Sequence, residues 1–236
     1  MTRNVRTYDH FCLTARTLEL VGDRWSLLVI RDLQTGAKRF TDLMDRLGGI
    51  TPKSLSQRLR ELTDADIVDA DRQPGRREVW YRLTDAGAEL GPIVDALGAW
   101  GLRHAWRRPE PGEPVHIEHL LRAVVTAVEQ AAEDHDPARW LFTFPDGDYT
   151  VESDGHRWSL TTSGPQDGPE VTVTADVPAF MRFIIDPSTA LASHPGVEIA
   201  GDTDAVARFV RLVGAFADIW RQSAGAPDDA VTAEPA

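Results

Sequence analysis

The sequence contains a single cysteine, Cys12, in 236 residues. One cysteine excludes an intramolecular disulfide and a zinc site built from cysteines. The chain also lacks any run close to the ~20 apolar residues of a membrane-spanning helix, and it has no apolar signal segment near its first residues. We therefore expect a cytoplasmic protein without a membrane partner.

Sequence signals of catalysis are missing too. Neither standard Gly-rich phosphate loop occurs, and there is no nucleophile elbow. The histidines near the middle of the chain are scattered, except that His116 and His119 have a spacing that places two side chains on one helix face. We predict that the chain is not an enzyme and uses no metal or other cofactor.

Charge is distributed unevenly along the chain, whose formal net charge is −12. Residues 1–108 contain 18 Lys and Arg against 15 Asp and Glu, a net charge of +3. Residues 109–236 contain 7 against 22, a net charge of −15. This asymmetry indicates two domains with different partners. The acidic segment should repel phosphates, so DNA binding is expected from the first segment.

Residues 39–62 have the pattern of two helices separated by a Gly48-Gly49 turn. Thr51 is a favourable N-cap for the second helix, and Pro52 suits its first position. Leucines at 55, 59 and 62 form a buried stripe, and polar or cationic side chains cover the rest. An ordinary surface helix shows the same alternation, but Arg and Lys also read guanine in the major groove, and Gln reads adenine. The candidate DNA contacts are Arg39, Thr51, Lys53, Ser54, Ser56, Gln57, Arg58 and Arg60.

A candidate β-hairpin follows this pair of helices. Two β-favouring runs, residues 67–71 and 78–83, flank a Pro74-Gly75 turn. The turn region carries three further candidate DNA contacts, Arg72, Arg76 and Arg77. A basic hairpin directly after a candidate recognition helix is typical of a winged helix-turn-helix, in which the wing contacts phosphates or a minor groove.

The first hundred residues resemble the HxlR family of bacterial winged-helix regulators, over roughly residues 8–106. The resemblance depends on the order and spacing of six blocks: Cys12, G-D-R-W-S-L-L-V-I-R-D-L from Gly22, G-A-K-R-F-T-D-L from Gly36, G-I-T-P-K-S-L-S-Q-R-L-R-E-L from Gly49, Y-R-L-T-D-A-G from Tyr81, and Trp100-Gly101. It implies a dimeric transcription factor that binds double-stranded DNA and whose terminal helices pair with the partner subunit. It also implies that some members sense oxidants or electrophiles through a cysteine near the N-terminus.

Cys12 is accordingly a candidate redox sensor. A sensor needs a thiolate stabilised by nearby cations or by a helix N-terminus, and Arg16 lies one helical turn away. The family commonly has a proline after this cysteine, whereas this chain has Leu13. The alternative is that Cys12 is a small buried apolar side chain.

A helix capped by Thr84 is predicted to run toward Trp100, with Pro92 kinking or breaking it. Trp100 and Trp106 add apolar surface to an already complete winged domain. This surface fits a homodimer interface, which would place two recognition helices about one DNA turn apart on a pseudo-palindromic operator. Packing against the second domain is the alternative.

The second half of the chain predicts an α+β domain with a meander sheet and helices on one face. Helical patterns cover residues 116–134, 177–185 and 203–221, strand-like runs cover 140–144, 149–152, 157–161 and 170–174, and residues 199–202 read as a short strand or turn. The order, the T-V-T-A-D run before a helix and the I-A-G-D-T-D-A run before the last helix resemble the sterol carrier protein fold over roughly residues 115–222. The resemblance implies an apolar cavity for a lipid-like molecule.

The candidate ligand pocket consists of large apolar side chains, as most pockets do. These side chains are Trp140, Phe142, Trp158, Phe180, Phe183, Ile184, Phe209 and Phe216. The alternative is that they fill the core that every domain of this size needs.

The sequence thus predicts an α+β chain of two domains. A winged helix-turn-helix domain for DNA binding and dimerisation spans residues 1–108, and a linker spans 109–115. A sterol carrier protein-like domain spans 116–222, and a disordered tail follows at 223–236. The predicted function is a dimeric, sequence-specific transcriptional regulator that responds to an apolar small molecule. Two alternatives stay open: a thiol-based regulator with a structural second domain, and a lipid-carrier module whose winged domain does not bind DNA.

Overall fold

The computed structural model describes residues 7–72, 78–105, 107, 110, 113, 115–131, 136–162, 168–187 and 194–223, without the side chains of residues 131 and 223. The chain forms two compact units, residues 1–94 and residues 95–236. Among the helices of these described residues, none has the length and apolar composition of a membrane span.

The first unit is a winged helix-turn-helix. Its elements follow the order α1 (Leu13–Val21), α2 (Ser26–Leu33), β1 (Lys38–Arg39), α3 (Phe40–Leu47), α4 (Pro52–Asp64), β2 (Val68–Asp71), β3 (Trp80–Leu83), α5 (Asp85–Ala88) and the start of α6 (Gly91–His104). The strands form an antiparallel sheet in the order β1-β3-β2. The hairpin of β2 and β3 agrees with the prediction, whereas β1 is too short to give a sequence signal and was not predicted.

A leucine stripe fixes α4 to the core of the first unit. Leu55, Leu59 and Leu62 are buried, and they join one apolar cluster with Ile30 of α2 and Leu43 of α3. This confirms the helical spacing read from the sequence. Because the stripe occupies one side of α4, the other side is free to carry polar residues.

The helix predicted to start at Thr84 is two helices. The Thr84 hydroxyl accepts a hydrogen bond from the Gly87 backbone N–H at 3.0 Å, which caps α5. The chain then turns at residues 89–90, and Pro92 is the second residue of α6. Proline is tolerated there because the first helical turn has no use for its missing N–H. The predicted break is confirmed.

The second unit contains an α+β arrangement. Its elements are the greater part of α6, α7 (Ile117–Ala131), β4 (Ala138–Phe144), β5 (Gly147–Ser153), β6 (Trp158–Thr161), β7 (Val171–Ala175), α8 (Val177–Ile185), β8 (Val197–Gly201) and α9 (Thr203–Ser223). The five strands lie in the order β6-β5-β4-β7-β8. The prediction of a meander is wrong for β7, which pairs parallel to β4 and not with β6. Strand order depends on tertiary packing, which the alternating pattern of β7 does not encode.

One face of this sheet is buried. Along β4, Ala138, Trp140, Phe142 and Phe144 are buried, and the residues between them are half-buried. Apolar residues of α7, α8 and α9 complete the same core. The helices therefore pack on one face of the sheet, as predicted.

The division between the two compact units falls inside α6, after Val94, whereas the predicted linker lies further along the chain at 109–115. The difference has a physical cause in the second half of α6. Leu102 is part of the second unit's core. A carboxylate oxygen of Asp95 also lies 3.1 Å from the Arg122 guanidinium of α7. Of the predicted linker, only residues 110, 113 and 115 are described, and the predicted tail beyond residue 223 lies outside the described residues.

Candidate nucleic-acid interface

The turn between α3 and α4 depends on two glycines. Gly48 and Gly49 have φ angles of 47° and 65°, in the left-handed region that other residues rarely adopt. Ile50, which follows, is buried in the core of the first unit. The turn therefore sets the direction in which α4 leaves the core.

The N-terminus of α4 is well capped. The Thr51 hydroxyl accepts a hydrogen bond from the Ser54 backbone N–H at 3.1 Å, and its oxygen lies 2.9 Å from the Ser54 hydroxyl oxygen. Pro52 occupies the first helical position, as predicted. A helix N-terminus carries partial positive charge and attracts phosphate groups. Thr51 and Ser54 therefore lie where a DNA phosphate could approach, although their contact with DNA stays a prediction.

The exposed face of α4 carries Lys53, Gln57 and Arg60, and Ser56 is half-buried beside them. The Arg60 guanidinium donates to the Gln57 side-chain oxygen at 2.8 Å and to the Ser56 backbone oxygen at 3.2 Å. Gln57 in turn donates to the Glu61 carboxylate at 2.5 Å. Sequence reasoning did not assign any role to Glu61, although its spacing of four residues from Gln57 could have indicated one.

Two arginines predicted to contact DNA have carboxylate partners within the protein. Arg58 is only 20% exposed and lies 2.6 Å from Glu61 and 3.6 Å from Asp23. The predicted contact of Arg58 with DNA stays a prediction. A phosphate would have to compete with two carboxylates for this guanidinium.

Arg39 also has a structural role. Its guanidinium donates to both carboxylate oxygens of Asp42, at 2.9 and 3.1 Å, and to Glu78 at 3.2 Å. This pairing lowers the pKa of the Asp42 carboxyl group, with hydrogen bonding from Arg39 as the main cause. The guanidinium carbon lies 5.6 Å from the centre of the Trp80 ring. Arg39 therefore links the start of α3 to β3, and its charge is compensated.

The wing is only partly described. Arg72, at the end of β2, is exposed, whereas Arg76 and Arg77 lie outside the described residues. Below the tip, Arg82 of β3 donates to the Asp69 carboxylate of β2 at 2.6 and 3.0 Å. This cross-strand ion pair supports the hairpin at the base of the wing.

Comparison with known proteins places this fold in a family. The model of the HxlR-like helix-turn-helix matches residues 20–109. An uncharacterized HTH-type transcriptional regulator of Mycobacterium tuberculosis is 41% identical over 107 residues, 44% of this chain and 65% of the relative. The HTH-type transcriptional regulator YodB of Bacillus subtilis is 34% identical over 97 residues, 41% of this chain and 83% of YodB. This chain belongs to the HxlR family.

A solved structure, that of the redox regulator HypR in its oxidized form, is 31% identical to this HxlR-family chain. The likeness covers 41% of this chain and 99% of HypR, with a TM-score of 0.38. The chain spans 65% of the length of the mycobacterial relative. The family match ends at residue 109, and the sterol carrier protein-like identity of the second unit stays a prediction.

Cys12 is the N-cap residue of α1 and is partly exposed. The pKa of its thiol is lowered, mainly by the backbone N–H of Ala15 and next by that of Thr14. Arg16 was expected to stabilise the thiolate, but its guanidinium lies 3.1 Å from the Glu19 carboxylate, which compensates its charge. The helix terminus, and not a side-chain cation, is the chief stabiliser of the Cys12 thiolate.

Helices α1 and α6 expose large apolar side chains. Phe11, two residues before α1, and Leu13, its first residue, are 88% and 75% exposed. Ile93, Leu97 and Trp100 follow a spacing of four and three residues on α6 and are about half exposed. Trp106 lies outside the described residues. Such surfaces commonly mark protein–protein contacts.

The predicted ligand pocket of the second unit is a packed core in this structure. All but Trp158 of the eight predicted residues are buried. The ring of Phe209 lies 5.0 Å from the ring of Trp140 and 6.2 Å from that of Phe183, and Trp158 packs on Trp140 at 4.8 Å. Close contact between aromatic rings fills the space that a lipid would need. A ligand among these residues stays a prediction that the packing does not favour.

An open cleft of about 630 Å³ lies elsewhere in the second unit, and none of the eight residues lines it. Its lining includes Arg139, Glu152, Arg157 and Glu170. Arg139 and Glu152 form an ion pair of 2.8 Å across β4 and β5. The cleft is therefore lined by charges of both signs, unlike the apolar site that was predicted.

Proposed function

We propose that this chain is a sequence-specific DNA-binding transcriptional regulator that acts as a homodimer. The observation that carries the proposal is the two-sided structure of α4. Its leucine stripe is locked in the core, and its opposite face exposes Lys53, Gln57 and Arg60. A helix of this kind fits the major groove, where long donor side chains reach base edges.

Charge supports the same assignment. Lys53 has no ion-pair partner among the described residues, and Arg72 is exposed directly after the end of β2, on the tip side of the wing. Cations without carboxylate partners can neutralise phosphates at little cost. The second unit is strongly acidic, so it should stay away from the DNA backbone.

The dimer is supported by the exposed apolar residues of α1 and α6. Isolated winged domains rarely leave such side chains as Phe11, Leu13 and Trp100 in water without a partner. Two copies related by a twofold axis would present two copies of α4 to a pseudo-palindromic operator.

The test is selection of binding sites by the full chain from a random duplex library, followed by affinity measurements at several salt concentrations. We expect an enriched, pseudo-palindromic sequence whose binding weakens steeply as salt rises. Lys53→Ala should weaken binding to all sequences and reduce the salt slope by about one. Arg157→Ala removes an exposed cation of the second unit and should change neither quantity. If no sequence is enriched and affinity is independent of sequence, the chain is not a sequence-specific regulator.

A second candidate function, a thiol switch, is supported by the position of Cys12 at the N-terminus of α1. Because the lowered pKa increases the thiolate fraction at neutral pH, the thiol should react readily with oxidants or electrophiles. Cys12→Ser should then bind the operator as the unmodified chain does but fail to respond to peroxide. An unchanged peroxide response in Cys12→Ser would exclude this function.

A further inference from the structure

The guanidinium of Arg60 is held on two sides by its own helix. One terminal nitrogen, Nη2, donates to the Gln57 side-chain oxygen at 2.8 Å, and Nε donates to the Ser56 backbone oxygen at 3.2 Å. A guanidinium has five N–H donors. Three of them therefore have no partner among the described residues, which is enough for a two-point contact with another molecule.

The amide nitrogen of Gln57, at the opposite side of its amide group from the oxygen that binds Arg60, also has a partner. Its Nε2 donates to the Glu61 carboxylate at 2.5 Å. The second oxygen of Glu61 lies 2.6 Å from Arg58, and Arg58 lies 3.6 Å from Asp23 in the connection between α1 and α2. A chain of polar contacts thus runs from the scaffold to Arg60, which we call the Arg60 relay: Asp23, Arg58, Glu61, Gln57 and Arg60.

The contacts of the relay determine which DNA bases Gln57 and Arg60 can contact. An adenine contact by glutamine uses its amide oxygen and its amide nitrogen together. Both of these Gln57 atoms already bond to neighbours on α4. Arg60, by contrast, keeps the donors needed for a two-point contact with the O6 and N7 atoms of guanine.

We propose that Arg60 reads a guanine and that Gln57 is a positioning residue that holds Arg60 in place, with Glu61 anchoring Gln57. This proposal rests on the proposed DNA-binding function. It departs from the sequence-based expectation that Gln57 itself reads adenine. A long arginine side chain loses rotamer freedom when it binds, and the relay removes part of that freedom before DNA arrives.

The experiment uses the full chain and the operator selected by it, with every base pair of one half-site replaced in turn. In the unmodified chain, replacing one particular G·C pair should weaken binding by at least about fivefold. Arg60→Ala should abolish this discrimination. Gln57→Ala should weaken discrimination at that same pair and leave the salt slope unchanged. The double variant should match Arg60→Ala alone, because the two side chains act as one unit.

Glu61 supplies a graded control. Glu61→Gln keeps an acceptor for Gln57 and should leave discrimination at the G·C pair nearly as in the unmodified chain, whereas Glu61→Ala should reduce it. Circular dichroism melting of each variant shows whether α4 is still folded. These substitutions are at exposed or half-exposed positions, so the fold should survive.

The outcomes separate this inference from the proposed function. If the unmodified chain selects an operator but Gln57→Ala loses discrimination at an A·T pair, Gln57 reads adenine and the positioning role is wrong. Additive effects of the two substitutions would overturn it as well. If the unmodified chain selects no operator, the DNA-binding function itself fails.

Discussion

Arg46 Nε of α3 lies 3.6 Å from a carboxylate oxygen of Asp32, an aspartate of α2 that is 1% exposed. The half-buried Arg31 lies 3.4 Å from the same carboxylate. Burying a carboxylate costs free energy unless cations and hydrogen bonds compensate it. This pair therefore links α3, the first helix of the helix-turn-helix, to α2.

Removing the buried carboxylate should be costly, because Arg46 would lose a buried partner. We expect Asp32→Ala to lower the free energy of unfolding by about 3–5 kcal/mol and Asp32→Asn to lower it by less. Denaturant unfolding of the full chain measures both. Asp69→Ala breaks the exposed Asp69–Arg82 pair and should cost at most about 1 kcal/mol. Equal losses in the buried and the exposed pair would contradict the role given to Asp32.

The Thr51 hydroxyl should stabilise the protein by capping the N-terminus of α4. Thr51→Ala leaves the Ser54 N–H without this acceptor and should destabilise the chain by about 1 kcal/mol. Thr51→Ser keeps the hydroxyl and should be nearly neutral. Thermal unfolding followed by circular dichroism compares the two variants. The cap would be unimportant if alanine and serine gave the same midpoint.

Gly87 should not tolerate a side chain. A Cβ atom there would lie 2.0 Å from the Ile67 backbone oxygen, so the start of β2 and α5 would have to separate. We expect Gly87→Ala to cost about 1–3 kcal/mol, as overpacked sites do. The matched control is Gly214→Ala in α9, where the added Cβ atom would meet nothing within 4 Å apart from the local backbone of its own helix. Helix propensity predicts that this control is stabilised by up to about 1 kcal/mol. A Gly87→Ala variant that is as stable as the unmodified chain would refute the close approach.

The apolar face of α6 should govern self-association. Leu97→Glu places a charge on a side chain that is already half exposed, so the fold of one chain should be unaffected. We expect this variant to sediment as a monomer at concentrations where the unmodified chain is a dimer. Glu129→Lys on α7 changes an exposed charge on another helix and should leave association unchanged. A Leu97→Glu variant that dimerises as well as the unmodified chain would exclude this face as the interface.

Cys12 should become reactive at a lower pH than an ordinary cysteine does. Since backbone N–H groups lower the pKa of the thiol, the rate of alkylation by iodoacetamide should reach half its maximum at a pH below that of an unfolded cysteine peptide. Thr14→Pro removes one of these N–H groups at a first-turn position that accepts proline, and it should move the midpoint back up. A folded chain whose midpoint equals that of the peptide would show that the helix terminus does not activate Cys12.

The sequence predicted α4 closely because its signals are local. Thr51, Pro52 and the leucine stripe act within one helix, and the structure begins α4 at Pro52 and buries all three leucines. The β2–β3 hairpin and the break at Pro92 were predictable for the same reason. Such signals depend on neighbours a few residues apart, so no knowledge of the tertiary fold was required.

The candidate interface was predicted less completely. Lys53, Gln57 and Arg60 are exposed together as expected, but the partners of Arg39 and Arg58 were not foreseen. Two of those partners, Glu78 and Asp23, are distant in the sequence from the arginines they contact. The other two, Asp42 and Glu61, lie three residues away, and their helical spacing could have indicated them. An isolated arginine in a sequence looks the same whether it faces DNA or a carboxylate.

By itself the sequence determined most of the helices and strands, the unequal charge of the two halves and the membership in a family of winged-helix proteins. These properties are encoded in periodicity, capping residues and composition along short stretches of chain. Tertiary structure alone decided that β7 pairs parallel with β4, that Phe209 packs among the rings of Trp140 and Phe183, and that Asp32 is buried against Arg46. Each of these depends on which distant segments come together, and many arrangements would bury the same apolar residues equally well.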